Sequence, residues 1–281
     1  MGNKKAVALA SIVILLGLSV VITESKVLAY LPAKWWLRLL EPVSGLLIVV
    51  AGFLSWKYYK QSHNIFFKLL AVALFFSTVM ELNYLLFSIV ANFHLAYPGQ
   101  FSIHQVIRLV QLLFQQAGAF LFAILLVHAI RNFGVRERSV ILHRGFLLLV
   151  VVFNLLWVTW AAYTMLRSDI NWSFDLTTIF FIVHSVLLMA IYLDGIRIAL
   201  RKTSISDSWL LKCLVAVMAM GIFLSLTWVF PFFLFNAWHG AMFSMIYNYT
   251  IMFINIAIPV LFVVGLVAYG KECRGASEES D

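Results

Sequence analysis

The chain predicts an all-α fold, a polytopic membrane bundle of eight transmembrane helices, and three observations carry that reading. Its 281 residues are 63% hydrophobic and only 11% charged, whereas a soluble domain is about one quarter charged. The apolar residues gather into eight long runs, and the basic residues gather into alternate loops between them. Period-two alternation is absent, which argues against an outer-membrane β-barrel.

The runs are 6–23, 43–57, 65–91, 105–130, 145–166, 177–199, 209–235 and 244–269. All but the second reach the ~20 residues needed to cross a hydrocarbon core. The second gains length from Glu41 or from Trp56 and Tyr58 at its ends. The first follows Lys4 and Lys5 as a secretory signal would, yet Val20-Val21-Ile22-Thr23 offers no small-x-small cleavage site. It reads as a retained anchor, and cleavage would leave seven spans. Residues 24–42 read as an interfacial collar helix opened by Pro32, with Trp35, Trp36, Leu39 and Leu40 against lipid. Pro98-Gly99 turns the chain tightly between the third and fourth runs. Residues 1–270 form a single membrane domain, followed by a short, acidic, unstructured tail at 271–281.

Charge sets the orientation. Lys57, Lys60 and Lys68 share one loop, Arg131, Arg136, Arg138 and Arg144 a second, and Arg197, Arg201, Lys202 and Lys212 a third. The alternating loops 92–104 and 236–243 hold no Lys or Arg. The positive-inside rule therefore predicts a cytoplasmic-membrane protein with both termini and all three basic loops inside. This bias accounts for the net charge of +8, so nucleic acid is not implied as a partner. Cys213 and Cys273 fall on that same side without a CxxC or a His neighbour, which points to neither a disulfide nor a metal centre.

Glu81, Gln115, His184 and Asn255 each interrupt a different run, all roughly 20–23 Å from its basic end. A polar group in lipid is costly unless it faces a partner or water, so a shared layer predicts an enclosed site or a buried knot. The fourth run is the least suited to lipid. His104, Arg108, Gln111, Gln115 and Gly118 follow one helical face, which must pack inward or line a wet cavity. Arg108 lies further out than Glu81, where it snorkels to headgroups or caps a pocket. In the last run Asn248 and Asn255 share a face, and Pro259 deprives the Asn255 carbonyl of its helical donor. A plain kink is the simpler reading there and a broken helix at a binding site the sharper one. Trp157 and Trp160 sit too deep for an interfacial belt and read as a wall.

His184 stands alone in its run, and its simplest role is a hydrogen-bonded structural one. A transmembrane b-haem finds no second histidine at matching depth, and a di-metal carboxylate site finds too few acids. HExxH, GxSxG and Walker motifs are absent, so the reading leans away from an enzyme.

Leu40-Glu41-Pro42-Val43-Ser44, the basic loop after it, and Tyr97-Pro98-Gly99 leading to Arg108 give a layout that resembles the eight-helix membrane-associated sensor domain of bacterial signalling proteins. The likeness covers most of the chain in order and few positions in identity. It departs late in the third run, where Glu81-Leu82-Asn83 stands in place of an expected histidine, and no functional residue is carried over.

The resulting expectation is a sensor-like protein whose outer-half cavity binds a small, partly apolar ligand. Glu81, Gln115, His184 and Asn255 orient the ligand, with Arg108 at the mouth, Trp160 as a wall, and Gln111 and Asn248 as further binding residues. A protein partner would read the state at the basic loops. The alternatives are a quinone- or lipid-binding subunit of a redox or biosynthetic complex, a secondary transporter, and interhelical glue.

Overall fold

The computed structural model describes residues 35–96, 117–134, 139–166, 174–202, 208–234 and 241–278. Within them the protein is all-helical and holds no strand. The helices are α1 (Trp35–Ser62), α2 (Ile65–Ala96), α3 (Ala117–Arg131), α4 (Arg144–Leu166), α5 (Phe174–Leu200), α6 (Trp209–Leu234) and α7 (Ala241–Glu278). Three segments are long and apolar enough to cross a membrane: Ile179–Leu200 of α5, Trp209–Leu226 of α6 and Phe253–Glu272 of α7. Shorter apolar stretches occupy Ile65–Met80, Ala117–Arg131 and Arg144–Trp160. This is the composition of a membrane-embedded protein. The first run, 6–23, lies outside the described residues.

Two elements differ from the sequence reading. Trp35 to Pro42 is not a separate collar but the first part of α1, a single helix of 28 residues. The N-terminal part of the expected collar, 24–34, lies outside the described residues. At the other end α7 continues through the tail to Glu278. Hydropathy marks where lipid ends and not where a helix ends, and no proline follows Pro259 to stop this one. Glu272 then anchors the extension, its carboxylate accepting from the Trp209 backbone amide at 3.2 Å. An acidic group at the first turn of α6 also suits that helix's dipole.

The link between α1 and α2 shows how local chemistry sets a turn. His63 takes a left-handed φ of 51°, closing α1 as its backbone N–H donates a hydrogen bond to the Tyr59 carbonyl at 2.8 Å. Asn64 then caps α2, its Oδ1 accepting from the Phe66 amide at 2.9 Å.

α3 is the hub of the bundle. Phe120 meets Phe153 of α4 and His184 of α5, Phe122 meets Phe262 of α7, and Gly118 lies under Met80 of α2. Around it α1 packs on α2 and α7, and α6 on α5 and α7. Phe120, Ala123, Leu126, Val127, Ala129 and Ile130 are all buried, covering much of the α3 circumference. Helix faces turned away from the hub stay apolar: Ile179, Val183, Val186, Leu193 and Leu200 of α5 are exposed. A soluble helix would place charge there, whereas a lipid-facing one has no reason to. Close approach relies on small residues. A Cβ on Gly265 would stand 3.0 Å from Cys213 Cβ and 3.3 Å from Leu210 Cα, so α6 and α7 touch where α7 lacks a side chain.

Candidate functional site: an aromatic box and a polar clasp on one helix

His184 and Trp157 occupy one aromatic box between α3, α4 and α5. Phe153, Trp157 and Trp160 recur at helical spacing on α4, and Phe180 and His184 recur so on α5. The His184 ring meets Phe120 edge to face at 4.5 Å and tilts against Phe153 at 6.4 Å. Trp157 meets Phe180 at 4.8 Å and Phe181 at 5.0 Å, both edge to face. Phe153 and Phe180 lie 5.9 Å apart and tie the two ends together. His184 is 9% exposed and Trp157 3%.

The polar atoms of this box are the unusual part. Nδ1 of His184, Nε1 of Trp157 and Nε1 of Trp160 are buried without a hydrogen-bond partner among the described residues. The expected structural hydrogen bond of His184 is therefore missing at Nδ1. Buried polar side-chain atoms are nearly always paired, because an unpaired one forfeits roughly 1–3 kcal/mol of hydration. Edge-to-face contact with phenylalanine offers an N–H···π interaction at best, which recovers only a fraction of that. Two such nitrogens, on His184 and Trp157, belong to this one cluster of rings, and the third, on Trp160 one turn further along α4, stands beside Tyr163, whose ring is 5.9 Å away.

The other site residues read from sequence are placed as follows. Asn255 lies on α7 with its side chain exposed. Its backbone carbonyl, freed by Pro259, accepts the Ser44 hydroxyl of α1 at 2.9 Å. A neighbouring helix thus supplies the donor that proline removes, a common accommodation in membrane helices. Glu81 and Asn248 fall on α2 and α7, and their side chains lie outside the described set. Arg108, Gln111 and Gln115 also lie outside the described residues. Gly118, the last member of their stripe, is buried, and a Cβ there would sit 2.5 Å from Met80 Sδ. Among the described residues no group of three His, Cys, Asp or Glu could hold a metal ion.

Sequence reasoning overlooked a second polar centre at the basic-loop end of α5. Asp194 is 7% exposed, and its Oδ2 accepts from the Ser139 hydroxyl at 2.7 Å and from the Ile141 amide at 3.3 Å. Its Oδ1 accepts from Arg197 Nη2 at 2.5 Å. Ser139 Oγ in turn accepts from the Leu142 amide at 3.1 Å, so one carboxylate organises the approach to α4. Lys202, 6% exposed, donates to the carbonyls of Arg131 at 3.4 Å and Phe133 at 2.5 Å. A cation there satisfies the open carbonyls of α3 and opposes the negative end of its dipole. The sequence signal was an acid three residues before Arg197 at a span's basic end, which reads as an ordinary surface pair until its burial is known. The box and the clasp are ten residues apart on α5, about 15 Å along one rigid helix.

No family model, curated protein or solved structure matches this chain.

Proposed function

We propose that the chain is a multi-pass protein of the cytoplasmic membrane, with eight spans and both termini inside, that binds a small, partly apolar ligand in the box between α3, α4 and α5. Binding shifts α5, and the shift reaches a protein partner at the basic loops through the Asp194 clasp. The observation that carries this reading is the pair of buried, unpartnered ring nitrogens on Trp157 and His184. A ligand that pairs them recovers hydration otherwise lost, which is a reason for occupancy beyond apolar contact. The orientation rests on the basic loops. The coupling rests on α5 holding both centres.

A second reading is a quinone- or lipid-binding subunit of a redox complex. It is favoured by the same flat aromatic lining, and differs in that its partners would carry redox centres.

The test is mass spectrometry of small molecules retained by gently solubilised protein, comparing wild type with His184→Leu and with Glu81→Gln. A bound molecule lost from the His184 variant supports the box. Retention of the same molecule by both variants, or of none by wild type, sinks it. Single-cysteine labelling of the loops, with the basic ones protected from an outside reagent, tests the orientation.

A further inference from the structure

We infer that the seam between α1 and α2 seats an anionic phospholipid, its phosphate held by Lys60 and Lys68 and an acyl chain laid along the apolar strip beneath them. The inference needs a membrane but not the ligand box, and so goes beyond the reading above. Lys60 Nζ stands over the Trp56 ring at 5.3 Å, and Lys68 Nζ over the Tyr59 ring at 5.9 Å. Those two rings meet at 5.4 Å, so a lysine from each helix is held to one aromatic pair. Trp56, Lys60 and Lys68 are all exposed. An ammonium resting on a ring face keeps N–H donors for an acceptor. Among the described residues neither lysine has a carboxylate partner, and the stretch 56–68 adds Lys57 and no Asp or Glu.

What lies beneath the lysines separates a lipid from other anions. Val50, Phe53, Trp56 and Lys60 share one exposed face of α1, and Lys68 and Val72 share one of α2. Phe53 and Phe75 meet edge to face at 5.3 Å across the seam, so the two faces run on as one surface. That surface is charged at the basic-loop end and apolar for about 15 Å below it, the ten residues from Lys60 back to Val50. A phospholipid divides in the same way, with a phosphate above hydrocarbon. Trp and Tyr rings settle at headgroup level, and lysine stems lie along apolar surface with the ammonium among the headgroups. Basic groups between membrane helices bind anionic headgroups for this reason. The α6 pair makes the contrast. Lys212 stands over Trp209 at 5.2 Å, but the Glu272 carboxylate bonds the Trp209 amide at 3.2 Å and places negative charge beside it. That acid repels an anion, which leaves the α1–α2 seam as the favoured seat.

The experiment is native mass spectrometry of the full-length protein in detergent, titrated with phosphatidylglycerol and with phosphatidylcholine of the same acyl chains. Wild type is expected to take up phosphatidylglycerol at least ~10-fold more tightly, since each lysine near a headgroup contributes about fivefold. Lys60→Gln combined with Lys68→Gln should reduce that preference to about twofold or less and leave phosphatidylcholine binding unchanged. Both side chains are exposed, so the double variant keeps the fold. Lys212→Gln removes the same kind of charge beside Glu272 and should leave the preference within about twofold of wild type. Equal affinity of wild type for the two lipids, or a preference that survives the double variant, overturns the inference. An equal loss in Lys212→Gln reduces the effect to net charge and overturns the seat. Glycerophosphoglycerol, the same headgroup without chains, should fail to displace the lipid at equal concentration, and displacement overturns the lipid in favour of a soluble phosphate ester. An acidic protein that leaves the double variant while lipid binding stays unchanged gives the patch to a protein partner and overturns the inference.

Discussion

Replacing Asp194 by alanine is the sharpest probe of how this bundle holds its basic-loop end. The carboxylate receives three donors, and they lose unequally. The Ile141 amide is buried, and stripped of its acceptor it forfeits about 1–3 kcal/mol. The Ser139 hydroxyl is half-buried and still accepts from Leu142, so its loss is about 0.5–1.5 kcal/mol. Arg197 has a side chain 37% exposed and returns to water at almost no cost. Together these give a destabilisation of about 1.5–4.5 kcal/mol. Asp194→Asn keeps the shape and one acceptor and should lose roughly half of that. Arg197→Ala should stay within about 0.5 kcal/mol. The assay is unfolding in mixed micelles with increasing SDS, together with amide exchange over residues 139–147. Exchange at Ile141 and Leu142 should rise well before the rest of α4 in the alanine variant. Were Asp194→Ala to unfold with wild type and its loop to exchange no faster, the clasp would have no energetic content and the coupling argument would fall with it.

The Ser44–Asn255 bond predicts a double-mutant cycle: Ser44→Ala should cost about 0.6 kcal/mol, as interhelical bonds in membranes do. The same change should be nearly silent beside Pro259→Ala, because alanine at 259 returns an amide donor to the Asn255 carbonyl; equal costs in both backgrounds would refute it. Gly265→Val forces a side chain onto Cys213 and Leu210 and should lower stability by about 1–3 kcal/mol, whereas Gly45→Ala meets nothing within 4 Å and should be neutral or stabilising; thermal scans of the purified pair decide this. Lys202→Met should cost about 1–3 kcal/mol by leaving the Arg131 and Phe133 carbonyls without their charged donor, seen as faster exchange at the end of α3; an unchanged α3 end would count against that role.

His184 and Asp194 lie on one helix, α5. α5 is packed by Leu187, Leu188, Ile191 and Ile198 along its buried face, and Gly195 there lets Val127 of α3 and Met218 of α6 come close. Only this face of α5 is packed, the opposite one being exposed, and packed contacts tolerate discrete shifts better than local bending. The loop at 139–143 is held by the Asp194 hydrogen bonds and by Ile141, which is buried in the core.

An all-helical, membrane-embedded protein is legible in the amino-acid sequence alone. Composition and run length are enough for that, because lipid demands ~20 apolar residues whatever their order. The sequence also singled out His184, Trp157 and Trp160 as anomalies, since polar or amphipathic side chains deep in a span need a reason. It could not say which way any of them faces. In water, hydrophobicity separates the buried side of a helix from the exposed one; in a bilayer both sides are apolar, so Leu188 in the core and Leu193 at the surface are equivalent in sequence. Tertiary structure alone decided that His184 sits among phenylalanines with Nδ1 unpaired, that Ser44 takes up the carbonyl freed by Pro259, and that Asp194 is buried in a clasp. Each of these depends on contacts between residues far apart in the chain, which no local pattern encodes.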